Sequence, residues 1–366
     1  MAAPVEKPSV LILGGVGFIG RHLTTLLVEE GLVSKVRVVD KVPPSTGWLN
    51  PQHKEVFAQV EFKQLNLANA ASADKAFADG PFQIVYNLAA ETKYGQSEQV
   101  YEERVLRVAM NCATVAAKAG SKFIHISTGQ VYDSSKGVST EESKVDPWTL
   151  LAKYHLRAEL ALKNIPELQY LIVRPAIVYG IGDRNGLTPR LVIAAVYRHL
   201  GEKMKLLWSE ELRMNTVHVS DVSRGLWLLG TTGGGKGEVY NMVDAGETTQ
   251  GVITQLVSEL FAIKASYFGS ILSNLAKLNM SGATEESNDK HLAPWSEACT
   301  QDSVSNTPLS PYLDQELLYN RHLHLDGGKL RTLGFDYRVP KPTLDLLREV
   351  VMDYVANGQF PPSLLP

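Results

Sequence analysis

Gly14, Gly17 and Gly20 stand between the apolar run Val10-Leu11-Ile12-Leu13 and the amphipathic segment Arg21 to Glu30. A strand, a glycine turn and a helix in that order restrict the chain to α/β folds that hold a phosphate at a helix N-terminus. Gly14 allows the tight turn, Gly17 lets backbone N–H groups approach a pyrophosphate, and Gly20 lets the helix pack closely. A second apolar run, Val36 to Val39, ends in Asp40, twenty residues beyond Gly20. An acid at that point accepts both hydroxyls of a ribose and repels a 2′-phosphate. The expectation is a dinucleotide cradle for NAD, with Gly14, Gly17 and the first-turn residues Phe18 and Ile19 on the pyrophosphate and Asp40 on the ribose.

Composition narrows the partners. The net charge is −3 without a long basic tract, which argues against a nucleic-acid surface and for small molecules. Cys112 and Cys299 cannot form a disulfide framework, and no His/Cys cluster has metal spacing. The N-terminal stretch Met1 to Pro8 lacks the basic and apolar regions of a signal peptide, so a cytosolic setting is expected. Glu259, Lys264 and Lys277 interrupt the apolar-leaning segment Val252 to Met280, so no membrane span is expected there. An amphipathic helix around Phe268 to Leu278 could touch a membrane or a partner, but packing on a second lobe is the more economical reading.

Strand and helix signals then alternate. Val60 to Leu65, Ile84 to Leu88, Phe123 to Ser127, Tyr170 to Val173 and Val239 to Val243 read as strands. Ala70 to Ala78, Val100 to Ala119, Trp148 to Lys163 and Pro189 to Leu200 read as helices. This predicts a doubly wound parallel Rossmann sheet with a smaller, discontinuous C-terminal lobe. The expected division is a nucleotide domain over 1–185, completed by about 214–244, and a substrate lobe over 186–213 and 245–366. The stretch 282–311 is polar and shows no clear periodicity, so it reads as a surface excursion.

Several motifs in order resemble the extended short-chain dehydrogenases/reductases: the NAD-dependent epimerases and dehydratases of nucleotide sugars and their hydroxysteroid-dehydrogenase relatives. Beyond the glycines and Asp40, Leu88-Ala89-Ala90 is similar to the strand end that lies along the cofactor, and Asn66-Leu67 sits where that family has Asp and an apolar residue near the adenine. Arg174-Pro175 to Tyr179-Gly180, His218-Val219 to Asp221-Val222, and Lys329 to Leu333-Gly334-Phe335 look like further family signatures. The resemblance implies hydride transfer between the nicotinamide and a secondary alcohol, most naturally on a nucleotide sugar, with relatives that often form homodimers through two helices. Here those would be 100–119 and 148–163.

The resemblance also implies a Tyr and a Lys four residues apart on a helix, and that pair is absent. Aligned on Ala152 and Ala158-Glu159, the tyrosine position holds Leu151 and the lysine position His155. Three readings stay open: Tyr154 supplies the phenol from one turn away, His155 acts as the base, or the protein binds NAD for regulation or scaffolding without turnover. Thr128 occupies the position of the hydroxyl that polarises a substrate oxygen. Gly129-Gln130 follows it where sugar dehydratases carry Asp-Glu, which disfavours water elimination. Glu91 and Arg213 are the candidate substrate contacts, and Arg184 or Arg190 could hold a diphosphate. A steroid or lipid-alcohol dehydrogenase is the weaker alternative, suggested by the apolar segment near Phe268.

Overall fold

The computed structural model describes residues 6–232 and 234–366; residues 1–5, the start of the segment read for a leader, lie outside them. Strands β1 (Ser9–Leu13), β2 (Lys35–Asp40), β3 (Glu61–Gln64), β4 (Ile84–Asn87), β5 (Lys122–Ile126), β6 (Gln169–Pro175) and, late in the chain, β10 (Glu238–Met242) form one sheet. Its order is β3-β2-β1-β4-β5-β6-β10, and every pairing is parallel. The order reverses beside β1, which opens a crevice at the carboxyl ends of the strands.

β1 is apolar at every position after Ser9 because both faces of the sheet are covered. Val10 and Ile12 join the core beneath α1 (Phe18–Glu29) and α8 (Val219–Thr231). Leu11 and Leu13 join the core beneath α3 (Ala70–Phe77) and α5 (Val108–Ala119). All four are 0% exposed, and burial of each such side chain stabilises by about 1.5–3 kcal/mol. A short helix, α2 (Pro51–Phe57), follows the loop after β2; Pro51 at its first position and the Asn50 side chain accepting the His53 N–H define its start.

The predicted helix 100–119 is divided. A turn of α-helix, α4 (Glu98–Tyr101), runs into a π-helical stretch, Glu102–Arg107, before α5. In that stretch the Arg104 carbonyl accepts the Glu91 N–H at 3.2 Å, which ties the bulge to the loop after β4. Helix α6 (Leu150–Leu162) starts at Thr149, whose Oγ1 accepts the Ala152 N–H.

A second apolar core gathers α7 (Thr188–Leu200), α9 (Gln250–Leu260), α11 (Met280–Gln301) and α13 (Leu344–Ala356). Two small parallel pairs join the regions: β7 (Ile177–Tyr179) with β9 (Thr216–His218), and β8 (Met204–Leu206) with β11 (Ala265–Tyr267). A short α12 (Gly328–Thr332) packs against β10. Asp221 accepts the N–H groups of Arg338 and Val339, so it caps a connection between the regions.

The structure differs from the sequence reading at two places. The stretch 282–301 is helical, not an irregular excursion. The buried positions of α11, Met280, Thr284, Asn288, His291, Trp295 and Ala298, recur every three or four residues, but the middle of that stripe is polar and hides the period from hydropathy. Asn288 is satisfied there by the Leu313 N–H and C=O. The segment after Phe268 is a helix, α10 (Gly269–Lys277), but Ser273 is its one buried residue, so its apolar side does not pack on the second lobe. Among the described residues, no helix is long and apolar enough to cross a membrane.

Candidate active site

A crevice of about 1590 Å3 runs from the glycine turn to the second core. It exceeds the roughly 300–1,000 Å3 of a site for one drug-sized ligand, so it has room for two. At one end Gly14 has φ +77°, and a Cβ there would lie 2.7 Å from the Ala89 backbone. No side chain caps α1, whose N-cap is Gly17, so the first-turn N–H groups of Phe18 and Ile19 are available to an anion. The Asp40 carboxylate borders the same space, with Oδ2 accepting the Val16 N–H and Oδ1 the Val42 N–H. Each oxygen keeps capacity for a hydroxyl. Burial pushes the Asp40 carboxyl above its ordinary range, and those N–H donors pull it back. Asn66, Leu67, Leu88, Ala89 and Ala90 line this end, and the set fits an adenosine ribose, a pyrophosphate and an apolar floor.

Arg21 holds the outer loop in place. It is 2% exposed, pairs with no carboxylate among the described residues and donates to the carbonyls of Val16, Gly17, Gly47 and Trp48. The loop after β2 is thereby pinned to the glycine turn.

Helix α6 forms the far wall with Leu151 and His155, one turn apart. Tyr154 is not among the lining residues. Three positions after Leu151 the helix has turned its side chain toward α4, where the ring lies 5.9 Å from that of Tyr101 and the hydroxyl 3.4 Å from Glu98 Oε2. The structure thus does not bring the Tyr154 phenol together with Thr128 and His155 at the crevice. His155 is 6% exposed; burial pushes its imidazole down to about 4, and Nδ1 has no hydrogen-bond partner among the described residues. It is therefore neutral where the resemblance would put a lysine cation. The rotation of α6 is fixed one turn further on: Glu159 accepts from Ser127 Oγ at 2.5 Å and from Arg174 Nε and Nη2 at 3.1 and 2.5 Å.

Thr128 follows β5 and lines the crevice. Its Oγ1 accepts the Gln130 N–H at 3.2 Å, which leaves the hydroxyl hydrogen free to donate. Gln130 links two further hydroxyls: its Nε2 donates to Tyr94 Oη at 2.8 Å, and its Oε1 accepts from Thr149 at 3.0 Å. Since the Tyr94 oxygen already accepts, its own O–H is available as a donor. Burial pushes that phenol up to about 12. Sequence reasoning missed Tyr94, because it lies on an irregular loop after β4 with no spacing to mark it.

The charged candidates separate clearly. Glu91 lines the crevice, but its carboxylate accepts the Thr92 and Lys93 N–H groups and pairs with Arg104 at 2.9 Å; those donors hold it below the usual range against the opposing effect of burial. Arg213 also lines the crevice and is held by the Glu247 carbonyl and carboxylate, both at 3.1 Å. Arg190, in the first turn of α7, pairs with no carboxylate among the described residues; its one polar contact is Met214 Sδ at 4.0 Å. Burial lowers it to about 10, so it stays charged at neutral pH. The neighbouring Asp183 is already saturated by the N–H groups of Asn185, Gly186, Leu187 and Thr188 and the Thr188 hydroxyl. An unpaired guanidinium in a crevice is a receptor for an anion.

A model of the NAD dependent epimerase/dehydratase family matches residues 10–242. A dTDP-D-glucose 4,6-dehydratase of Dictyostelium discoideum is 30% identical over 129 residues, which are 34% of this chain and 30% of that protein. The Mus musculus dTDP-D-glucose 4,6-dehydratase is 26% identical over 269 residues, covering 69% of this chain and 72% of the mouse protein. In three dimensions, a Thermus thermophilus UDP-glucose 4-epimerase solved in complex with NAD superposes with a TM-score of 0.68 at 19% identity, over 95% of this chain and 99% of that one. At that identity the likeness is one of fold.

Proposed function

The chain belongs to the NAD dependent epimerase/dehydratase family, and from that premise we propose that it is an NAD-dependent enzyme acting on a secondary alcohol, or the matching ketone, of a nucleotide sugar. NAD, when bound, supplies the hydride acceptor or donor. The first turn of α1 receives its pyrophosphate, Asp40 the adenosine ribose, Asn66 and Leu67 the adenine, and Leu88 to Ala90 the floor. His155 offers one nitrogen to the nicotinamide ribose. The observation that carries the substrate class is Arg190: an unpaired cation in the same crevice as the cofactor cradle suits the diphosphate of a nucleotide sugar, with Arg184 lining it from the loop that leads into α7. Arg213 is the weaker candidate because Glu247 already satisfies it.

Thr128 and Tyr94 are two hydroxyl donors aimed at the reacting oxygen. Both stay protonated at neutral pH, so the site holds a carbonyl oxygen, or an alkoxide forming from it, better than it removes a proton from an alcohol. Gln130 orients Tyr94 and supplies neither acid nor base, which weighs against dehydration. The similarities to nucleotide-sugar enzymes favour this reading over a binding-only protein or a steroid dehydrogenase. Cys112 and Cys299 are free and buried, which supports the cytosol, and Leu160, 49% exposed on α6, supports a homodimer through α5 and α6.

The test is NAD(H) turnover with a panel of nucleotide sugars and 4-keto sugar nucleotides, with Arg190→Ala beside the wild type. Loss of a bidentate guanidinium–phosphate contact removes about 2–4 kcal/mol, a rise in KM of roughly 30- to 1,000-fold with NAD affinity unchanged. Silence across the panel with tight NAD binding would overturn the proposal.

A further inference from the structure

Helix α10 presents its apolar side to solvent. At 100° per residue, Phe268, Ile271, Leu272, Leu275 and Leu278 fall within about 120° of its circumference. The last four are 79%, 52%, 59% and 84% exposed. Ser273 lies on the opposite side, buried, and its Oγ accepts the Trp208 N–H at 2.7 Å. A surface helix ordinarily turns its apolar stripe to the core. This one is fastened by its polar side and leaves the stripe uncovered, the arrangement of a docking surface.

Charge identifies what covers it. From Leu260 to Thr284 there is no Asp or Glu, while Lys264 immediately precedes β11 and Lys205 sits 5.8 Å from the Phe268 ring centroid. Neither lysine pairs with a carboxylate among the described residues. The result is a basic margin beside the start of an apolar stripe, on a chain whose net charge is −3. A second copy docked here about a two-fold axis would set these lysines against their own equivalents. An anionic lipid surface satisfies both parts at once.

We propose that α10 seats this protein on an anionic membrane surface, with Ile271, Leu272, Leu275 and Leu278 entering the headgroup boundary and Lys205 and Lys264 meeting lipid phosphates. Phe268, Leu272 and Ala276 also line the crevice, so the docked face borders its mouth. The proposal does not depend on the nucleotide-sugar reading.

Flotation of the full chain with phosphatidylcholine vesicles, with and without phosphatidylserine, tests it. The expected result is recovery with the phosphatidylserine vesicles that falls as salt rises, and about tenfold or greater loss in the double variant Ile271→Ser, Leu278→Ser. Neither residue lines the crevice, so NAD titration of that variant stays unchanged and shows that it is folded. Lys205→Glu with Lys264→Glu should lower recovery on phosphatidylserine vesicles alone. Absence of flotation with either vesicle, equal flotation of the Ser variant, or a wild-type dimer that the Ser variant dissociates would each overturn the proposal.

Discussion

Mild acid should destabilise this protein through histidine. His53, His125, His155 and His291 are 2%, 2%, 6% and 3% exposed, and burial pushes their imidazoles from 6.5 down to about 3, 3, 4 and 4. As pH falls below 7, the unfolded chain takes up a proton at each near 6.5, whereas the folded chain does not until far lower. The unfolded state thus binds more protons across this window, and stability rises with pH. Between pH 7 and 5.5 the loss is about 1.2 kcal/mol per histidine, or about 5 kcal/mol for four. Asp244, raised to about 6 chiefly by burial, has the opposite sign: the folded state takes its proton first, which returns less than about 1 kcal/mol. His22, pushed down to about 4 chiefly by burial, adds about 1 kcal/mol, and the resulting net loss of about 5 kcal/mol is a large part of a typical stability of roughly 5–15 kcal/mol. Urea unfolding followed by circular dichroism and tryptophan fluorescence at pH 7 and 5.5 measures it. His291 tests the assignment, because neither of its buried nitrogens has a hydrogen-bond partner among the described residues. His291→Leu should shrink the difference between the two pH values by about 1 kcal/mol. A midpoint that does not move with pH, or a His291→Leu variant with the wild-type difference, would refute the reasoning.

Three further outcomes are expected. Asp40→Ala should weaken NAD by roughly 10- to 100-fold, the loss of one charged hydrogen-bonding group, and affect NADP far less, as read by fluorescence titration. Gly14→Ala should abolish dinucleotide binding, because φ +77° disfavours a side chain and its Cβ would meet Ala89 at 2.7 Å; calorimetric titration of the folded variant checks it. Thr128→Val should lower kcat by roughly 100-fold with KM nearly unchanged, since its donor acts on charge that develops in the transition state.

The sheet was legible because its signals are local and redundant. An apolar run, a glycine turn and an acid at fixed spacing survive any rearrangement elsewhere, and alternation of strands and helices leaves few topologies. Helix α11 was not legible because Thr284, Asn288 and His291 carry its buried stripe, and their burial depends on partners such as Leu313 that are remote in sequence. Tyr154 illustrates another limit: residues three apart share a helix side only loosely, and the contact with Tyr101 decided its direction. Arg190 and Arg213 look alike in a sequence; Arg213 pairs with Glu247 and Arg190 pairs with no carboxylate among the described residues, a difference that only the tertiary structure carries.

The Ser127–Glu159–Arg174 cluster has a consequence for how such a site can change. It locks the end of strand β5, helix α6 and strand β6 in one register through a buried ion pair, and of its three side chains only Ser127 borders the crevice. Positions 151 and 155 therefore point at the same spot whatever residues occupy them, as a socket holds its orientation when the tool is exchanged. Leu151 and His155 occupy those two positions while Tyr94 lines the same crevice from a loop, so under the proposed function a hydroxyl donor comes from the loop with no movement of the frame. Scaffold and chemistry are separable parts in this chain, and selection can act on one while the other stands still.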